Sequence, residues 1–219
     1  MDCTDLLKEV GYTGNFIKNV VVMNYYKREK NNRMSSKKNI FEIDRYHGLG
    51  RPIDKISTRY EYIRYMLNCF NGHYQYYSED EDDDERREAN ENIFGDLLNL
   101  ANILDEKVDT KNVVIHISYP LTNPANLMFT VNDDQNVTQC DLLYLHTIAY
   151  KLVYLIEESD DKDPGNIPGM LNRAKSYGRF GVWGHSLDDL VYNGGSSLDI
   201  YGSDSQYGEH VYFSAGCDS

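Results

Sequence analysis

One pentapeptide in the 219-residue chain has the residue types for covalent chemistry. Gly184-His185-Ser186-Leu187-Asp188 differs by one residue from G-x-S-x-G, the strained strand-to-helix turn that presents a nucleophilic serine. Asp188 stands where the second glycine belongs. Asp199 or Asp204, then His210, follow in the Ser…Asp…His order of the α/β-hydrolases. Three features oppose that chemistry. The missing glycine is needed where helix packs on strand, glycines interrupt the run before Ser186, and the 33 residues after it are too few for the remaining hydrolase elements. A serine in this position also serves as a plain helix N-cap, through Val191, with Asn193-Gly194-Gly195 ending the helix.

His185 with Asp188 and Asp189 makes half of a metal site, but no third convergent ligand is indicated. Carboxylates at a helix start are favoured by the helix dipole without any metal. The alternative use of this glycine- and aromatic-rich segment is recognition. Tyr177, Phe180, Trp183, His185, Asp188 and Asp189 are the side chains with which such a corner would meet a partner. No catalytic residue, metal or cofactor is expected.

Residues 27–38, KREKNNRMSSKK, carry six basic residues and one acidic. They read either as a solvated loop or as a patch for nucleic acid, with Lys27, Arg28, Lys30, Arg33, Lys37 and Lys38 as phosphate contacts. Arg59 and Arg64, off the apolar stripe of an expected helix over 57–70, would extend that patch. Residues 79–88, EDEDDDERRE, lack the alternating ligands and central glycine of a calcium loop, so they read as a solvated linker.

The elements that must hold these residues centre on 113–158. Val113, Ile115 and Ile117 alternate with Val114, His116 and Ser118, which predicts a strand with one buried face. A Pro/Asn loop and a return strand with Leu127, Phe129 and Val131 complete a hairpin. Thr138 and Asp141 then form a capping-box pair for a long helix with a broad apolar stripe. His116 and His146 read as structural histidines within these elements. Helices are also expected over 2–10, stopped by Gly11, and over 92–104, and a single helical turn over 170–175; 15–27 leans to strand through Val20-Val21-Val22. A closing hairpin carries Leu198 and Ile200, then His210 and Tyr212.

The expected fold is therefore α+β. A four-stranded antiparallel sheet from two hairpins (β-β-α-α-β-β) carries the long helix and follows a helical, basic N-terminal region. The expected divisions are 1–78, an acidic linker at 79–91, and a body at 92–219. Residues 1–72 carry a net charge of +5 and the rest −18. The four cysteines show no paired spacing, and no signal peptide or membrane-length apolar run is present in the sequence. A reduced, intracellular protein that is neither secreted nor transmembrane is the expectation. Nineteen tyrosines suit half-buried surfaces and interfaces better than a compact metabolic enzyme.

Residues 177–194, YGRFGVWGHSLDDLVYNG, resemble a tail motif of an uncharacterised protein family of large amoeba-infecting DNA viruses, the marseilleviruses and relatives. The resemblance covers mainly the C-terminal half and brings no catalytic residues with it. It implies a viral protein acting in the cytoplasm or nucleus of an infected host cell, or carried in the virion. The leading expectation is a non-enzymatic interaction protein, homodimeric, with a host or viral protein partner. A nucleic-acid-binding protein using 27–38 is the alternative, and a Ser186 hydrolase the second.

Overall fold

The alternation at 113–117 forms the expected strand, but Val114 on its other face is buried as well, in a second small cluster with Tyr201 and Tyr212. The computed structural model describes residues 3–12, 14–38, 107–108, 110–160, 176–187 and 190–218. In chain order these form α1 (Cys3–Glu9), β1 (Ile17–Met23), a single 3-10 turn (Lys30–Asn32), β2 (Arg33–Lys38), β3 (Lys107–Val108), β4 (Asn112–Ile117), β5 (Ala125–Val131), β6 (Val137–Thr138), α2 (Gln139–Asp160), β7 (Val191–Tyr201) and β8 (His210–Asp218). Val113, Ile115 and Ile117 lie opposite Phe129, Leu127 and Ala125 in the β4–β5 register, and all six are buried beneath α2. Each of the five larger side chains contributes about 1.5–3 kcal/mol on burial.

The expected helix cap is present. The Thr138 N–H donates to Asp141 Oδ2 at 2.8 Å, and the Asp141 N–H to Thr138 Oγ1 at 3.4 Å. From there Leu142, Leu145, Ile148, Ala149 and Leu152 are all buried. At the N-terminus, α1 ends before Gly11, whose φ of 78° is left-handed.

The protein is α+β, but its sheet corrects the four-stranded antiparallel expectation. It has six strands in the order β1-β5-β4-β8-β7-β2, and it is mixed because β4 and β8 run parallel. β3 and β6 make a separate two-stranded ribbon. Residues 17–38, from the expected N-terminal region, supply both edge strands of the body's sheet. Two local expectations are corrected with it. Residues 191–195 are strand, not the end of a short helix, because a register shift between Tyr192 and Ser196 absorbs Asn193-Gly194-Gly195 as a bulge. The second half of the basic segment is strand β2, not loop, held antiparallel to β7 from Arg33↔Tyr201 to Lys38↔Ser197. The expected elements at 57–70, 79–91, 92–104 and 170–175 lie outside the described residues. Among the described residues no helix is long and apolar enough to cross a membrane.

β1 and β2 follow one another in sequence yet occupy opposite edges of the sheet. Five inter-strand gaps of ~4.8 Å separate them, roughly 24 Å. The nine intervening residues, the last three of them the 3-10 turn, reach that far only if the first six run extended, at ~3.3 Å each. They therefore form a strap across the face of the sheet that α2 leaves open.

Candidate interaction corner and the strapped face

The corner is built from the end of α2 outward. Glu157, fully buried, accepts hydrogen bonds from the Gly178, Phe180 and Gly181 N–H groups at 3.0, 2.7 and 3.0 Å, and from the Ser176 hydroxyl. A carboxylate so surrounded satisfies backbone donors that a buried loop would otherwise leave unpaired. Gly178 is required by this contact: a Cβ there would sit 2.7 Å from the Glu157 carboxylate. Gly181, at φ 64°, turns the chain so that its amide and that of Phe180 both reach Glu157.

The loop is then stitched to the β4–β5 turn. Val182 bridges Leu121, the Trp183 N–H donates to the Pro120 carbonyl at 3.1 Å, and Asn123 N–H to Phe180 O at 3.0 Å. Two helix tyrosines fix the backbone from below. The Tyr150 hydroxyl donates to Tyr119 O at 2.6 Å, and that of Tyr154 to His185 O at 2.8 Å.

On this backbone Tyr119, Trp183 and His185 form a triangle of rings. Centroids are 5.5 Å apart for Tyr119–Trp183 and Tyr119–His185, and 5.7 Å for Trp183–His185. Trp183 is 42 % exposed and Tyr177 69 %. Of the corner residues expected from sequence, Tyr177 and Trp183 face solvent, His185 joins the triangle, and Phe180 is a core plug. Asp188 and Asp189 lie outside the described residues. Tyr119 was missed; an aromatic beside Pro120 at a strand end was the only signal for it.

The chain matches no family model, no curated protein and no solved structure.

The strapped face holds the second cluster. Arg28, from the strap, donates through Nε to Asp199 Oδ2 at 3.1 Å and through Nη2 to the same oxygen. Its guanidinium lies 4.5 Å over the Tyr212 ring. Arg33 Nη1 stands 3.7 Å from the other oxygen, Asp199 Oδ1. Asp199 is fully buried, so the two arginines neutralise it. Burial is the largest single influence on Arg28 and opposes its charge, but the hydrogen bond and the charge of Asp199, with Tyr212 and Tyr201 adding, together outweigh it and the guanidinium pKa is raised.

Tyr26 stacks between Tyr212 and Tyr207, at 5.1 and 4.8 Å, and its hydroxyl meets His210 Nε2 at 2.9 Å. His210 Nδ1 lies 2.8 Å from the Gly208 carbonyl, which can only accept. The proton is therefore assigned to Nδ1, and Nε2 accepts from Tyr26. Burial lowers the pKa of His210 and of His116. Burial also raises Tyr26, with neighbouring tyrosines adding, and pushes Tyr212 up to about 12 against the opposing Arg28 charge. At neutral pH the tyrosines stay protonated, which suits a lock better than an acid–base centre.

The basic candidates are thus divided. Lys27, Arg28, Lys30 and Arg33 are all exposed, but Arg28 and Arg33 also reach inward to Asp199. Lys37 and Lys38 belong to the β2 backbone, and Arg59 and Arg64 lie outside the described residues. Ser186 precedes the start of β7, while His210 pairs with Tyr201 at its far end, about 30 Å along the strand. Asp199 lies toward that far end, already paired with Arg28. The Ser…Asp…His order does not assemble into a triad.

Proposed function

We propose that this is a non-enzymatic interaction protein, acting as a homodimer, whose corner around Trp183 receives a protein partner. The observation that carries the reading is the Tyr119–Trp183–His185 triangle, with Tyr177 exposed on the same loop, mounted on a backbone held by Glu157. Aromatic side chains bring large contact area with few rotatable bonds, and they dominate binding energy where they sit in a pre-ordered frame. A loop already fixed from the helix side loses little further entropy on binding. The resemblance at 177–194 supplies the setting: an infected cell, a host or viral partner, and the virion as a route of delivery.

The nucleic-acid reading has less to draw on, since Arg28 and Arg33 already serve Asp199. A basic segment that holds a sheet together presents fewer charges to phosphate.

The test compares proteins captured from host-cell extract by the intact chain, by Tyr177→Ala/Trp183→Ala, and by Met34→Ala as a surface control. At least one captured protein is expected to fall about tenfold with the double variant alone, a change of ~1.4 kcal/mol in affinity. Identical capture by all three would sink the reading.

A further inference from the structure

The sheet ends at β2. β7 pairs with one side of this strand, and among the described residues no strand lies on the other. Arg33, Met34, Ser35 and Ser36 are all exposed, Met34 to 74 %. The register with β7 shifts between Arg33 and Ser35, so the regular stretch of the edge runs from Ser35 to Lys38. Alternate residues of such a stretch turn their N–H and C=O groups away from the sheet. They form the half-ladder on which an extended chain adds as a further strand.

Charge decides what can add there. Residues 27–38 hold six basic residues and one acidic. Arg28 and Arg33 reach inward to Asp199, so the excess positive charge rests with Lys37 and Lys38 on the strand and with exposed Lys27 and Lys30 just before it. A second copy would set these lysines against their own kind. Carboxylates are attracted instead, and best at the Lys37–Lys38 end, because Asp204 and Glu209 line a cleft of about 490 Å³ at the Arg33 end. A phosphodiester backbone would meet the same lysines, but it has no amide N–H with which to answer the strand's carbonyls.

We infer that the outer edge of β2 receives an extended acidic peptide of another protein, added antiparallel along Ser35–Lys38 with its carboxylates beside Lys37 and Lys38. Antiparallel pairing puts those carboxylates in the N-terminal half of the peptide. Backbone groups make the ladder, so the side chain of Met34, before the regular stretch, is not part of it. The edge is separate from the corner around Trp183, and either reading can fail without the other.

The experiment titrates the full chain into a fluorescent eight-residue peptide, alternating threonine and valine with two glutamates in its N-terminal half, and follows hydrogen exchange on the full chain. The expected result is saturable binding with slowed exchange at alternate amides of Ser35–Lys38. Lysines in place of the glutamates should weaken binding at least about tenfold. Lys37→Glu/Lys38→Glu should weaken the glutamate peptide by as much. Lys8→Glu/Lys18→Glu, the same change in charge on α1 and the opposite edge, should not. Two further peptides, N-methylated at alternate residues in the two possible phases, separate the ladder from the charge. The one whose methyls face β2 should bind at least about tenfold more weakly than the other. Equal binding by the two would overturn the inference, since charge alone would then suffice. No binding up to about 1 mM would overturn it as well. So would binding of a mixed-sequence oligonucleotide but not of the peptide, or slow exchange at every amide of Ser35–Lys38 before any peptide is added.

Discussion

Arg28 reaches across the open face of the sheet to Asp199, a buried carboxylate 171 residues further along the chain. The pair pins the strap, and with it the path by which one chain reaches both sheet edges. Arg28→Met leaves Asp199 with only the longer Arg33 contact. The expected cost is about 3 kcal/mol, toward the low end for a broken buried pair because 46 % of the Arg28 side chain remains in solvent. Asp199→Asn should cost less, about 1–3 kcal/mol, since it removes the buried charge with its acceptor. The double variant should be more stable than the sum of the two losses predicts. Urea midpoints of the four proteins check this, and strict additivity would mean the pair does not act as a unit.

Tyr26 holds the same strap through its ring and its hydroxyl. Tyr26→Phe keeps the stacking on Tyr212 and Tyr207 but leaves His210 Nε2 without its donor, an expected loss of about 1–2 kcal/mol. Tyr26→Ala removes the stack as well and should cost about 3–5 kcal/mol. Equal losses in thermal unfolding would show that the hydroxyl alone matters.

Glu157 governs the corner without touching solvent. Glu157→Gln puts an amide where three backbone donors and a hydroxyl converge, and it removes the charge that strengthens those bonds. The expected loss is about 2–3 kcal/mol. Trp183 is the single tryptophan, so its emission reports the corner directly. Red-shifted emission and easier acrylamide quenching should accompany the stability loss. A destabilised variant with unchanged Trp183 emission would show that Glu157 supports the fold but not the corner.

Legibility in the sequence followed the range of each interaction. The β4–β5 hairpin, the α2 cap and the stop at Gly11 are local, and periodicity or capping residues announce them. The parallel β4–β8 pairing joins residues such as Val113 and Val211, for which no local pattern exists. β2 was hidden because an edge strand with Arg33, Met34, Ser35 and Ser36 all exposed has no apolar alternation to read. The start of β7 was hidden by Asn193-Gly194-Gly195, turn residues that a bulge can also use. The basic segment misled for a related reason. Charge composition registers Arg28 and Arg33 as surface, and only the fold reveals the buried Asp199 between them. At the corner, Tyr177 and Trp183 were legible as exposed aromatics. Phe180 was not separable from them, because its burial depends on the Glu157 contact that turns the loop inward.

His146 gives the fold an acid limit. It lies fully buried on α2 against Tyr150 and Phe213, with ring centroids 5.0 and 5.9 Å away. Burial holds its pKa down at about 3, with the nearby His116 charge adding and a hydrogen bond to the His116 backbone opposing. In the unfolded chain the same imidazole titrates near ~6.5. Between those values the unfolded state takes up a proton that the folded state refuses. The stability that His146 contributes is therefore complete above about pH 6.5 and declines as pH falls toward 3, by at most about 1.4 kcal/mol per pH unit. His116 and His210 are lowered too, burial being the first cause for each, and they steepen the decline below neutrality. His146→Leu should be less stable than the parent at pH 7.5, because it loses the His116 hydrogen bond. Its stability should nevertheless fall less steeply from pH 6.5 to 4.5, by roughly one proton's worth of slope. Urea unfolding at half-unit pH intervals measures both curves. Parallel curves would mean that His146 takes up its proton without unfolding the chain.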